Sequence, residues 1–131
     1  MANILLYIQE DQIDPVMEEG DVGSGQKNFG GTVNDRDRVF IASKYEGDLS
    51  IVGEIPVLER YVDENHPHGW KYRVRSSEGE AVRYKRPVRL KEVRTKLSIL
   101  RGKGNLWSQI RNARWLTDED AELLSKLGRG K

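Results

Sequence analysis

The sequence predicts an α+β or barrel-like domain of five or six short strands, with short helices at its start and end. Three observations lead there. Apolar, β-branched and aromatic residues fall in short runs bounded by Gly, Pro, Asn and Asp, which is the punctuation of strands. Helix signals occur only near the start and in the tail. No segment alternates strand and helix as a parallel α/β fold would. The 131 residues suit one domain with one core.

Residues 3–9 (NILLYIQ) form an apolar run and predict a buried strand. Asp14 and Pro15 predict a helix start, with Asp as the cap and Pro at the first helical position, and the helix runs to Glu19. Residues 20–31 hold five glycines among Ser24, Gln26 and Asn28. They predict a polar loop that can approach a ligand closely. Residues 38–43 (RVFIAS) read as a strand and 44–47 as a turn. Residues 48–61 read as one long irregular strand, in which Gly53 and Pro56 predict a bulge or bend. Residues 62–69 (VDENHPHG) are a loop, 70–76 a strand, 77–80 a turn, and 81–85 a strand ended by Pro87. A strand end and a helical turn follow in 88–96. In the tail, Asn105 is the predicted cap of a helix over 106–111. Thr117 is the cap of a second helix, with Asp118, Glu119 and Asp120 where the dipole favours acids. Leu123, Leu124 and Leu127 are its predicted apolar stripe, and Gly128 its stop. Trp115, beside Leu116, reads as core.

Composition narrows the function classes. The chain is 37% hydrophobic and 33% charged, and no run approaches the roughly 18 apolar residues of a membrane helix. Its first residues, MANILLYIQEDQ, lack a basic segment and a small-residue cleavage site, so no signal peptide is expected. The absence of cysteine excludes disulfides, thiolate metal sites and a Cys nucleophile, and fits a reducing, cytoplasmic compartment. His66 and His68 alone cannot build a typical zinc site. There is no Gly-x-Ser-x-Gly elbow and no Walker A lysine loop. No catalytic residue, metal, cofactor or membrane partner is expected.

The net charge of +1 hides an asymmetry. Residues 1–21 carry six acids and no Lys or Arg. Residues 71–114 carry fourteen Lys/Arg against three acids. Such a concentration fits a polyanion-binding face, because phosphate contacts release counterions. The competing reading is an ordinary solvated surface. On the first reading the binding face lies in the basic half, away from the acidic segment that would repel phosphate.

Four stretches occur in a telling order. They are residues 23–29 (GSGQKNF); 35–43 (DRDRVFIAS) with 51–55 (IVGEI); 61–63 (YVD) with 70–74 (WKYRV); and 87–91 (PVRLK) with 115–120 (WLTDED). Together they resemble an EVE domain of the PUA-like superfamily, which also contains the YTH and ASCH domains. The resemblance spans most of the chain. It departs from the pattern where the family has early tryptophans. Those positions read Gln12/Asp14 and Val22-Gly23 here, leaving Phe29 or Tyr45 to replace one wall of the usual aromatic pocket.

The resemblance implies a PUA-like barrel that binds nucleic acid and reads a modified, methylated base flipped into a pocket. It also implies a setting: the specificity domain of a modification-dependent restriction system, such as the N-terminal domain of McrB-type GTPases. DNA is the favoured partner. RNA is the alternative, as is a small-ligand or enzymatic barrel using Asp63 or His66. A larger GTPase or nuclease protein is the expected context. The base-pocket candidates are Ser24, Gln26, Asn28, Ser43, Tyr45, Tyr61, Asp63 and Trp70. Trp70 reads equally as pocket wall and as core, with Tyr72 on its face by alternation. The phosphate-contact candidates are Arg83, Lys85, Arg86, Arg89, Arg101, Lys103, Trp107, Arg111 and Arg114. Trp107 is expected either to pack on the barrel or to stack on nucleic acid.

Overall fold

The central strands explain the architecture. The computed structural model describes residues 3–25, 37–77, 79–100, 105–111 and 113–130. Strands β1 (Asn3–Tyr7), β3 (Arg38–Tyr45) and β4 (Asp48–Pro56) are apolar on both faces. A strand with two apolar faces must be covered on both sides. Here β1 runs parallel to β3, and the five-stranded sheet has the order β7-β4-β3-β1-β8. Its outer strands are β7 (Val82–Arg89) and β8 (Arg114–Leu116).

Side chains alternate between two cores. Ile4, Leu6, Val39, Ile41 and Val52 point to one. That face is covered by α1 (Ile13–Glu19) and by a three-stranded sheet of order β2-β6-β5. The small sheet consists of β2 (Asp21–Ser24), β5 (Glu59–Val62) and β6 (Tyr72–Arg75). Leu5, Phe40, Ala42 and Ile51 point to the other core. It is closed by α2 (Leu90–Val93), α3 (Leu106–Ile110) and α4 (Asp118–Arg129). Among the described residues no helix is long and apolar enough to cross a membrane.

Local chemistry accounts for the joints. The β3–β4 turn places Glu46 at φ 51° and Gly47 at φ 84°. Two positive φ values match a tight hairpin of the right-twisting kind. The expected bulge at Gly53 is present: the β4–β7 register shifts between Ile51 and Gly53. A Cβ on Gly53 would lie 2.5 Å from the Val82 carbonyl oxygen, so only glycine permits this approach. Asn105 caps α3 by accepting from the Ser108 amide at 2.7 Å. Thr117 caps α4 by accepting from the Asp120 amide at 3.1 Å.

Several expectations are corrected. The described strands form two sheets and no closed barrel: one face of the large sheet is closed by helices and the other by α1 and the separate three-stranded sheet. The predicted 48–61 strand breaks at Val57 and Leu58, and its halves join different sheets. Residues 21–24 are a strand, not loop, since Gly23 pairs opposite Arg73. Helix α1 begins at Ile13, and neither Gln12 nor Asp14 caps it through a side chain. Asp14 instead pairs with Arg83. Pro87 does not end β7, an edge strand whose pairing with β4 lapses between Arg83 and Val88, where no ladder N–H is needed. Trp115 lies on edge strand β8 and is 39% exposed, so it is not core. Leu124 of the predicted stripe is buried but Leu127 is exposed, and α4 also buries Asp120, Ala121, Ser125 and Gly128.

Gly128 sits inside α4, which ends at Gly130 with φ 74°. Its role is close packing: a Cβ there would lie 2.2 Å from the Tyr84 ring. Gly128→Ala is therefore expected to cost about 1–2 kcal/mol through overpacking, despite the better helix propensity of alanine. Urea unfolding checks this, and a gain in stability would contradict it.

Helix α4 is also held by a buried charge. The Glu54 side chain is fully buried. Its Oε1 accepts from the Tyr84 hydroxyl at 3.0 Å, the Ser125 hydroxyl at 2.8 Å and Arg129 Nε at 2.8 Å. Its Oε2 accepts from Arg38 Nη1 at 3.1 Å. A carboxylate removed from water is tolerated when its lone pairs are filled in this way.

Candidate nucleic-acid interface

A cleft of roughly 650 Å³ opens where β1 ends. Its floor is Leu6 and Tyr7 of β1 with Ile8 just beyond the strand. One side is α1, through Pro15, Val16 and Glu19, with Gln12 just before it. The other is β2, from Asp21 to Ser24, and the 66–70 loop with His66, His68 and Trp70. Trp107 of α3 closes the rim.

The loop is built to present Trp70. Asp63 accepts from the Asn65 amide at 3.1 Å, an Asx-type turn, and its own amide donates to the Lys71 carbonyl at 2.7 Å. Gly69 adopts φ 74° and donates to the His66 carbonyl at 3.0 Å. The His66 ring stacks on Trp70 with centroids 5.5 Å apart, and His68 lies 4.8 Å from Trp70.

Behind Trp70 runs a polar chain. Arg73 donates to Asp21 Oδ1 through Nε at 3.1 Å and to the Trp70 carbonyl through Nη1 at 3.4 Å. The Tyr61 hydroxyl donates to Asp21 Oδ2 at 2.5 Å. Burial, followed by the Asp21 bond, pushes the Tyr61 hydroxyl above its ordinary pKa. Gly23 lets the strands close up, since a Cβ there would meet Arg73 and the Trp70 carbonyl at 2.8 Å. On the rim opposite, Trp107 meets Tyr7 edge-to-face, with centroids 4.6 Å apart. Trp107 remains 45% exposed. Burial and the neighbouring Glu10 carboxylate push the Tyr7 hydroxyl upward.

The structure sorts the base-pocket candidates. Ser24 and Trp70 line the cleft, and Trp70 is half-buried outside the two cores. Tyr72 packs on the first core, and β6 begins at Tyr72, so the expected alternation does not extend to Trp70. Tyr61 acts behind the cleft through Asp21. Asp63 shapes the loop. Ser43 is buried, its hydroxyl donating to the Ile8 carbonyl at 2.8 Å. Tyr45 lies at a separate small cleft with Arg83 and Lys85. Gln26, Asn28 and Phe29 lie outside the described residues.

The phosphate-contact candidates divide likewise. Arg83, Lys85, Arg86 and Arg89 sit on edge strand β7, away from the cleft. Arg83 is paired with Asp14, and Arg89 with Glu46 and Asp48. Arg111 is exposed one turn beyond Trp107, and Arg114 donates to the Gln109 carbonyl at 3.4 Å. Arg101 and Lys103 lie outside the described residues. The acidic N-terminal segment, expected to stand apart from the binding face, forms one wall of this cleft. Tyr7, Gln9, Gln12, Glu19, Asp21 and Arg73 were not legible as cleft residues, since only the packing of α1 and β2 across the end of β1 brings them together.

No family model and no curated protein matches the sequence. Solved structures do match it in three dimensions. PSPTO5229 from Pseudomonas syringae superposes with a TM-score of 0.68 at 16% identity, covering 96% of this chain and 99% of its own. Rpa0253 from Rhodopseudomonas palustris gives 0.64 at 20% identity, over 98% and 93% of the two chains. Human THYN1, solved in complex with DNA containing 5-methylcytosine, gives 0.61 at 14% identity, over 100% and 99%. The chain shares the fold of THYN1. That likeness supports the PUA-like fold expected from the sequence without singling out its EVE branch.

Proposed function

We propose that this chain is a nucleic-acid reader that admits a modified base, flipped out of DNA, into the cleft between α1, β2 and the 66–70 loop. The observation that carries the reading is the cleft itself. It combines Trp70 and the Tyr7–Trp107 pair with amide, hydroxyl and carboxylate groups in a space of roughly 650 Å³. An extruded base is held by aromatic stacking and by hydrogen bonds to its Watson–Crick edge, the two kinds of group present. The fold shared with THYN1, a protein captured on methylated DNA, supports the same reading. The chemistry is binding and not catalysis. Arg111, beside Trp107, is placed to meet the backbone, where contacts position without reading sequence.

The test is equilibrium binding to short duplexes with and without 5-methylcytosine at two salt concentrations, with matched RNA as competitor. Modification-dependent affinity for DNA is the expected result. Affinity blind to modification would sink the reading, and tighter binding to RNA would move the partner to the alternative. The restriction-system setting and the larger GTPase or nuclease protein rest on the sequence resemblance alone. The neighbouring coding sequence tests them.

A further inference from the structure

The charge of the cleft is unusual for a nucleic-acid site. Its ionised side chains, with the histidines counted neutral, are Glu19, Asp21 and Arg73. Asp21 and Arg73 neutralise each other at 3.1 Å. Glu19 is exposed and has no ion-pair partner among the described residues, so the described side chains leave the cleft with one negative charge. The wall behind it belongs to a segment with no Lys or Arg. Burial first, and the Glu10 carboxylate second, push the Tyr7 hydroxyl upward at the floor. A phosphate is repelled there, so the base alone must enter. The 66–70 loop and the rim offer Trp70 and Trp107, whose ring faces attract cations more strongly than neutral rings.

From this we infer that the cleft selects a positively charged, N-alkylated base over a neutral modified base. The inference rests on the reader function proposed above and names its ligand class. A cationic ring gains twice: through its contact with a tryptophan face and through the carboxylate of Glu19. A neutral base gains only stacking and hydrogen bonds.

The experiment compares duplexes of one sequence carrying N3-methylcytosine, N3-methylthymine, 5-methylcytosine or no modification. N3-methylcytosine is cationic at neutral pH and N3-methylthymine is neutral. Neither forms its normal pair, so the cost of leaving the stack is matched. The cationic base is expected to bind about tenfold tighter than its neutral counterpart. In Glu19→Gln that ratio is expected to fall severalfold. Equal affinity for the two N3-methylated duplexes, or an unchanged ratio in Glu19→Gln, overturns the inference. If 5-methylcytosine is still preferred over the unmodified duplex in that case, the reader function stands. If no duplex binds, the reader function fails first.

Discussion

Glu54→Ala is expected to remove about 3 kcal/mol of folding stability, the lower end of the usual cost of breaking a buried ion pair. The reason is the number of groups left behind. The Tyr84 and Ser125 hydroxyls lose the acceptor they share at Oε1, in a buried setting. Arg38 and Arg129 keep 18% and 35% side-chain exposure and can rehydrate, which holds the loss to the lower end. Glu54→Gln keeps the volume and one acceptor and is expected to cost less. Urea denaturation of the two variants checks the order. A Glu54→Ala protein as stable as the parent would show that the cluster contributes no net stability.

The same group gives a pH dependence. Burial alone would raise the Glu54 pKa, but bonds from Arg129, Ser125 and Tyr84 outweigh it and hold the carboxyl below its ordinary 4.5. The folded pKa thus lies below the unfolded one. The stabilisation is complete above the unfolded value and is lost as pH falls through the folded value. Acid unfolding in the parent is expected to steepen below about pH 4.5, and to flatten there in Glu54→Gln.

Trp70→Ala is expected to weaken binding of a modified duplex by about tenfold to a hundredfold, from the roughly 1–3 kcal/mol that one base–aromatic stack supplies. Folding should change little, because Trp70 lies outside both cores. Trp115→Ala is the control, since Trp115 is exposed on β8 and does not line the cleft. Fluorescence anisotropy on both variants decides the matter. Parental affinity in Trp70→Ala would remove Trp70 from the interface.

Much of the fold was legible because local chemistry specifies it. Asn105 and Thr117 are caps on any reading of their neighbours, and the structure uses both. Gly53 marks a bulge in the sequence and in the sheet. Gly128 shows the limit of this. A glycine near a helix end reads as a stop, yet its use depends on Tyr84, forty-odd residues earlier in the chain and packed over it. Glu54 was equally silent. An acid in an apolar strand hints at a buried partner, but Arg129 and Ser125 become its partners only when α4 docks.

The cleft divides in the same way. The sequence by itself determined the central strands, the Asn105 and Thr117 caps, the basic segment at 71–114 and the polar and aromatic residues from which Ser24 and Trp70 come. Periodicity, capping and charge are properties of neighbours along the chain. Only the tertiary structure decided that strands expected to close a barrel lie in two sheets, that β7 carries its arginines away from the cleft, and that the acidic segment forms a cleft wall. Those outcomes depend on which apolar faces meet. A central sheet apolar on both sides must be covered twice, and covering it with α1 and β2 brings Glu19 and Asp21 to the place where Trp70 already stands.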